Sequence, residues 1–456
     1  MDVERRQRRM PSAYTILFFI LALVALATFL VPAGSYRFQE GVPVAGSYHT
    51  LSQSPQGLGA LLRASFTGFR EAADICVFLL MVGGFLGVVM KSGAVDAALR
   101  RLIRRLNGRE QILIPVLMCF LGLGGSSFGM WEETMAFFPL LIPVFLAAGY
   151  DALVGISVIL LGAGAGVIAS TVNPFATGIA SGFAGVSLGE GLGLRLLQWV
   201  LFEGAAIVAV MRYAAKVKRP PPEREGEASE QEAFSGRQKA ILWVFAGTFL
   251  LMVYGVTPLQ EMGLPLPTLG WWFPELSALF LVGAVAAGLL DRQGETTLIE
   301  TFLAGAGELL GVAFLIGISR GVTVLMDAGH ITDTLLYWGE KALSGLGPVG
   351  FILLVFLLYL PLTVLIPSTS GLAALTIPLA APLAGFAGVS GALVVTAFQT
   401  ASGIVNLVTP TSAVVMGALT LGKVPYDRWL RFSGTLLAFD LLTSLALLTV
   451  SAAMGG

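Results

Sequence analysis

Ser170-Thr171-Val172-Asn173-Pro174-Phe175-Ala176-Thr177-Gly178 directly follows an apolar run, residues 153–169, long enough to cross most of a bilayer. Proline removes a backbone donor and glycine loosens the turn, so this stretch cannot carry the helix onward. Each N–H or C=O left unpaired in lipid is costly, and a helix breaks at membrane depth only where protein or water receives the freed groups. A second stretch of the same kind, Asn406-Leu407-Val408-Thr409-Pro410-Thr411-Ser412, separates residues 392–404 from 413–419. Both read as broken transmembrane helices whose loosened backbone faces the protein interior.

Two further apolar regions, about 112–148 and 348–386, are interrupted by Gly124-Gly125-Ser126-Ser127-Phe128-Gly129 and Pro367-Ser368-Thr369-Ser370-Gly371, the pattern of re-entrant hairpins. Simple spans are expected near residues 12–31, 73–90, 194–214, 240–256, 273–290, 303–326 and 432–452. Positive clusters at residues 5–9, 100–109, 216–219, 237–239, 292 and 423–431 all fall on one side if each hairpin returns to the side it entered. That threading puts the N-terminus in the cytoplasm, brings the first hairpin in from the cytoplasm and the second from outside, and leaves the C-terminus outside. The first span exceeds the usual apolar core of a cleaved signal and reads as a retained anchor.

Composition agrees. Of the 456 residues, 56% are hydrophobic and 12% charged, against about a quarter charged in soluble domains. The chain is an all-α polytopic membrane protein with the lipid bilayer as its solvent. A formal net charge of −1 gives no nucleic-acid footprint. Cys76 and Cys119 lie inside apolar runs and read as small core residues.

The two halves repeat. Residues 66–93 align without gaps on 302–329, and Pro139-Leu140-Leu141-Ile142-Pro143 recurs as Pro378-Leu379-Ala380-Ala381-Pro382, each followed by one of the proline breaks. The threading runs the copies in opposite senses, an inverted repeat typical of secondary carriers. Residues 1–219 form the first repeat, 220–236 a Pro-, Glu- and Ser-rich cytoplasmic linker, and 237–456 the second repeat.

A helix N-terminus after each interruption favours an anionic group, while freed carbonyls and hydroxyls suit a cation. The candidate substrate-binding residues are therefore Ser126, Ser127, Thr171, Asn173, Pro174, Thr177, Ser368, Thr369, Ser370, Asn406, Thr409 and Thr411. Na⁺ is expected near Ser126, Asn173, Ser368, Asn406 or Thr409, with H⁺ as the other coupling ion. Arg320 lies mid-span and either grips a substrate carboxylate or pairs with Glu132, Glu133 or Glu308. Glu132 and Glu133 join the candidates as proton carriers or partners of a basic group, whereas Glu71 and Asp74, near a span end, read as solvated. Gly417 to Lys423 spells a phosphate-loop pattern, but Val424 replaces the hydroxyl residue and the run is apolar. No cofactor and no catalytic constellation is expected. A secondary carrier of a small carboxylate or amino-acid-type solute is the first reading, a channel for small anions the second, an intramembrane enzyme the third.

These residues also carry a resemblance. Met10-Pro11-Ser12-Ala13-Tyr14-Thr15-Ile16-Leu17 with Val31-Pro32-Ala33-Gly34, Gly129-Met130-Trp131-Glu132-Glu133-Thr134, residues 170–181, residues 368–378, and 406–412 followed by Pro425-Tyr426 are similar to the YfcC-like branch of the C4-dicarboxylate (DcuC) and arginine/ornithine (ArcD) carrier family, within the ion transporter superfamily. The resemblance covers nearly the whole chain. It implies a bacterial-type cytoplasmic (inner) membrane and a homodimer in which a mobile transport domain moves against a scaffold as an elevator. It also implies hairpin tips and broken helices that bind carboxylates and Na⁺. By resemblance Ser126 and Ser127 occupy the first tip and residues 368–370 the second; this chain departs there from the family's asparagine-containing tip motif.

Overall fold

The computed structural model describes residues 13–39, 42–44, 46–95, 97–98, 101, 110–127, 129–219, 235–256, 260 and 266–455. The linker expected at 220–236 falls outside them up to residue 234, as do Phe128 and the basic positions 5–9, 100 and 102–109. Helix dominates, and nine described helices have the length and apolarity to cross a membrane.

In chain order the helices are α1 (Ala13–Leu30), α2 (Leu58–Glu71), α3 (Ala73–Lys91), α4 (Leu113–Ser127), α5 (Phe138–Ala147), α6 (Ala152–Ala169), α7 (Ile179–Ala184), α8 (Leu192–Val217), α9 (Gly236–Val256) and α10 (Phe273–Leu290). There follow α11 (Glu295–Ala328), α12 (Thr332–Leu343), α13 (Pro348–Leu365), α14 (Thr369–Ala387), α15 (Gly391–Asn406), α16 (Ala413–Leu421) and α17 (Tyr426–Ala453). Between α1 and α2 lie two short antiparallel ribbons, β1 (Gly34–Ser35) with β4 (His49–Thr50) and β2 (Phe38–Gln39) with β3 (Val42–Pro43).

Both interrupted regions fold as helical hairpins whose ends meet. At one end of the molecule, Lys218 Nζ donates to Glu110 at 2.8 Å and the Arg219 N–H to the Gly149 carbonyl at 2.9 Å, which joins the start and finish of the α4–α5 hairpin to the end of α8. Arg428 adds the start of α17 by bonding Asp151 at 2.6 Å. A methyl group built on Gly388 would lie 3.7 Å from the Pro348 ring, so the α13–α14 hairpin likewise closes on itself.

The helices form two groups. In one, α11 packs along α2 and α3, with α1 against α11 and α10 against α3. The sequence places no span over residues 58–71, because Arg63, Arg70 and Glu71 depress its hydropathy; yet α2 and α3 together match the 34-residue α11 that runs beside them. Glycines set this approach: a methyl on Gly68 would meet the Arg320 backbone at 3.0 Å, and one on Gly87 the Gly305 Cα at 3.0 Å, so the pair runs antiparallel. In the other group, α6 packs on α4, α5 and α8 while α15 packs on α13, α14 and α17, and α6 and α15 touch each other. Every residue of α6 after Ala152 and of α15 after Gly391 is buried. The helices that lead into the two breaks are therefore the innermost of the fold. α12 is a short amphipathic helix that the span reading omits; its polar face carries Asp333, Glu340 and Lys341.

Candidate functional site

The first hairpin and the first break are stitched together by the groups the break frees. The Ser126 and Thr171 hydroxyls lie 2.9 Å apart, the Thr171 N–H donates to Ser126 Oγ at 3.2 Å, and the Ser126 carbonyl accepts from the Thr171 hydroxyl at 3.1 Å and the Val172 N–H at 3.2 Å. Ser170 ends α6 with a left-handed backbone, φ 35°. Asn173 Oδ1 then accepts from the N–H groups of Phe175 at 2.9 Å and Ala176 at 3.2 Å, which starts the single π-helical turn Pro174–Gly178 that Pro174 opens. Thr177 bonds back to Ser170 and across to Gln399 on α15, and Gln399 donates to the Ala169 carbonyl at 2.7 Å.

The second half uses the same device. Thr411 Oγ1 donates to the Val364 carbonyl of the second hairpin at 2.9 Å and sits 2.7 Å from Thr409 Oγ1. Ser319 of α11 donates to the Thr411 carbonyl, tying this break to the neighbouring helix group. Ser368 caps α14 by accepting from the Gly371 N–H at 3.3 Å.

A cavity of about 350 Å³ opens where these four interruptions converge. Gly129, Glu132 and Glu133 come to it from the first hairpin, Asn173 and Phe175 from the first break, Ser368, Thr369 and Ser370 from the second hairpin, and Asn406, Thr411 and Ser412 from the second break. Arg320 and Ser319 of α11, with Glu71 and Asp74, close the remaining side. The volume is that of a small-molecule site.

Of the sequence candidates, Glu132, Glu133, Asn173, Arg320, Ser368, Thr369, Ser370, Asn406 and Thr411 share this cavity wall. Ser126, Thr171, Thr177 and Thr409 lie behind it, where their hydroxyls hold the interruptions in place. Ser127 bonds back to the Leu123 carbonyl at 2.5 Å, a local helix contact. Among the positions expected near Na⁺, the hydroxyls of Ser126, Thr409 and Ser368 and the Asn173 oxygen are already engaged in hydrogen bonds, and Asn173, Ser368 and Asn406 lie on the wall.

Among the described residues Arg320 forms no ion pair with Glu132, Glu133 or Glu308. Its Nε stands 3.7 Å from Glu71 Oε2, and both side chains are more than a third exposed to the cavity, a contact worth about 1 kcal/mol or less. Glu132 lies within its electrostatic reach, while Glu133 accepts the Trp131 N–H at 3.2 Å. Two helix N-termini, α14 behind Ser368 and α16 behind Ser412, also face the space. The buried Ser412 hydroxyl has no hydrogen-bond partner among the described residues. The cavity wall thus carries both a cationic element, Arg320 and the helix ends, and the acids Glu71, Asp74, Glu132 and Glu133.

Sequence reasoning missed Glu71 and Asp74, which it read as solvated span ends. The helix continues outward through α2, so they sit at the α2–α3 junction and on the cavity wall. Trp131, Phe175 and Trp272 were missed as well; the Phe175 and Trp272 rings lie 5.0 Å apart, tilted at 47°, beside the polar groups. The Trp131-Glu132-Glu133 run was the available signal for the first of them.

The family described as C4-dicarboxylate anaerobic carrier, DcuC, matches residues 10–453. A Haemophilus influenzae protein carrying the name "Uncharacterized protein" is 32% identical and aligns over 100% of this chain and 99% of its own. The Escherichia coli protein named "Putative basic amino acid antiporter YfcC" is 29% identical over 99% of this chain and 98% of its own. Among solved structures, the YdaH transporter of Alcanivorax borkumensis aligns with a TM-score of 0.46 at 16% identity over 98% of this chain and 99% of that one. MtrF of Neisseria gonorrhoeae aligns at 0.43 and 17% over 97% and 95%. With its spanning helices and a family match that leaves only the chain's extremities uncovered, the protein belongs to the C4-dicarboxylate anaerobic carrier family and is a membrane transporter, not an enzyme.

Proposed function

We propose that this transporter is a secondary carrier for a small solute bearing a carboxylate and an amino group, such as a basic amino acid. The observation that carries the reading is the composition of the single cavity at which all four interruptions meet. Arg320 and the N-termini of α14 and α16 suit a carboxylate, while Glu71, Asp74, Glu132 and Glu133 suit an ammonium or guanidinium group. The name of the Escherichia coli relative points the same way. A dianion would leave the acidic wall without a partner, which disfavours a C4-dicarboxylate here.

The cycle is alternating access between inverted repeats, driven by cation coupling or exchange. Matched packing supports the repeat: α4 on α6 and on α8 answers α13 on α15 and on α17, and α1 on α11 answers α10 on α3. The division into two helix groups with the cavity between them supports an elevator, in which the group of α4–α8 and α13–α17 moves against α1–α3 and α9–α11. A homodimer joined through the second group, a bacterial inner-membrane location and a cytoplasmic N-terminus complete the proposal. Purified protein in liposomes loaded with L-arginine should take up labelled L-arginine by saturable counterflow, with L-ornithine competing and succinate not. Competition by succinate alone would overturn the substrate class, and non-saturating flux would favour a channel.

A further inference from the structure

The last helix of each half carries one acid in the protein interior, away from the cavity. Glu203 on α8 is 5% exposed, and neither of its carboxylate oxygens has a hydrogen-bond partner among the described residues. Asp440 on α17 is 2% exposed, with Oδ1 unpartnered in the same way. The two lie at nearly matching places in sequence, Glu203 following Pro174 by 29 residues and Asp440 following Pro410 by 30. They are equivalent in packing too: α8 rests on α4, the entry limb of its own hairpin, and α17 rests on α13.

Among the described residues no basic side chain pairs with either acid. α4 brings Cys119 toward Glu203 and α6 has no titratable residue. Around Asp440, α15 and α16 have none, and the Tyr359 hydroxyl of α13 is committed to Thr376 at 2.9 Å. α8 and α17 touch each other; Arg195, about 12 Å back along α8 from Glu203, donates one nitrogen to the Leu188 carbonyl at 2.5 Å and has Nε and Nη1 unpartnered among the described residues, while Arg428 pairs with Asp151 and Arg431 with Asp427. Arg212 and Lys216 stand about 14 and about 20 Å further along α8. With no ion pair to either acid among the described residues, burial disfavours the ionised form and the packed arrangement holds the neutral acid. Among the described residues no cluster of three or more His, Cys, Asp or Glu side chains surrounds either acid, and a methyl on Gly122 would lie 2.9 Å from the Glu203 carboxyl carbon, so that acid is pressed on the α4 backbone.

We infer that Glu203 and Asp440 are proton-loading sites, one in each half, and that the coupling ion of this carrier is H⁺. The inference rests on the carrier reading above. Loss of the proton to entering water leaves a charge against Gly122, which the seam accommodates only by loosening α8 from α4. Gly122 is one helical turn from Ser126, whose bonds to Thr171 position Asn173 on the cavity wall, so proton release reaches the cargo site through named contacts. In the second half the path runs from α17 through α13, whose Val364 carbonyl holds Thr411.

Two measurements on the full-length protein test this. Infrared difference spectra between acid and alkaline buffer should show protonated-carboxyl absorbance that Glu203→Gln and Asp440→Asn each diminish; spectra unchanged by both substitutions would overturn the assignment. In liposomes, wild-type uptake of L-arginine should respond to an imposed pH gradient, and both variants should lose that response while retaining arginine–arginine exchange. Gradient-driven uptake that survives in both variants, or exchange that falls in step with it, refutes proton loading here. If the wild type moves no arginine, the substrate reading fails, and the infrared result alone decides the role of the two acids.

Discussion

Replacing Gly129 by alanine tests whether the first hairpin tip and the first break form one unit. Gly129 has φ +80°, a left-handed conformation that costs an alanine about 1–2 kcal/mol. The added methyl would also lie 2.7 Å from Cγ and Nδ2 of Asn173, so that side chain has to swing away. Doing so forfeits its hydrogen bonds from the N–H groups of Phe175 and Ala176, each worth about 1 kcal/mol. Gly129→Ala should therefore destabilise by about 3–4 kcal/mol. Asn173→Ala alone should cost about 2 kcal/mol, through the same two bonds. In the double variant the clash is gone and the bonds are lost only once, so its cost should equal that of Gly129→Ala, a coupling of about 2 kcal/mol. Denaturation of the purified proteins in mixed micelles measures all three. Additivity to within about 0.5 kcal/mol would show that the two interruptions do not touch in the way described.

Arg320→Ala should abolish L-arginine counterflow or raise its half-saturation about 100-fold, the value of a charge-assisted pair of about 2–3 kcal/mol, with little change in thermal stability, because its one ion pair is long and half-exposed. Unaltered transport kinetics would remove Arg320 from the site. Ser126→Ala and Thr171→Val should each cost about 1–2 kcal/mol and together little more than either alone, since they share the same bonds; independent losses in a double-variant denaturation series would contradict that. Outside the membrane helices, the Tyr36 hydroxyl donates to Glu340 at 2.5 Å, and burial together with this carboxylate pushes its ionisation above the ordinary value of 10.0. The neutral phenol is the bound form, so its contribution is intact below pH about 10 and fades as pH rises beyond it. Tyr36→Phe should lower stability at neutral pH and flatten the alkaline fall; a melting-temperature profile unchanged by the substitution would exclude the contact.

What was legible in the sequence follows from how directly lipid punishes each irregularity. A proline beside hydroxyl residues inside an apolar run has one physical meaning at membrane depth, so the interruptions at 170–178 and 406–412 and both hairpins could be placed before any coordinates. The α2 helix could not, because Arg63, Arg70 and Glu71 give it the hydropathy of a loop while Gly68 packs it tightly on α11. That single omission misplaced Glu71 and Asp74. Hydroxyl-rich breaks also do not announce which hydroxyls face cargo. Thr409 and Thr411 are two residues apart and bonded to each other, yet only Thr411 reaches the cavity. Glu203 and Asp440 sit in ordinary spanning helices, and that both are buried without a full set of partners emerges only once α8 and α17 are seen against their hairpins.

The central claim is that one cavity, shared by the four interruptions, holds the cargo and opens to each side in turn. A single cysteine at Ser370, in protein with Cys76 and Cys119 replaced by serine, reports on it directly when challenged with a membrane-impermeant thiol reagent from either face of the liposome. Labelling should occur from both faces and be slowed by L-arginine from both. Labelling from one face only, or at rates indifferent to every amino acid and dicarboxylate supplied, would contradict it.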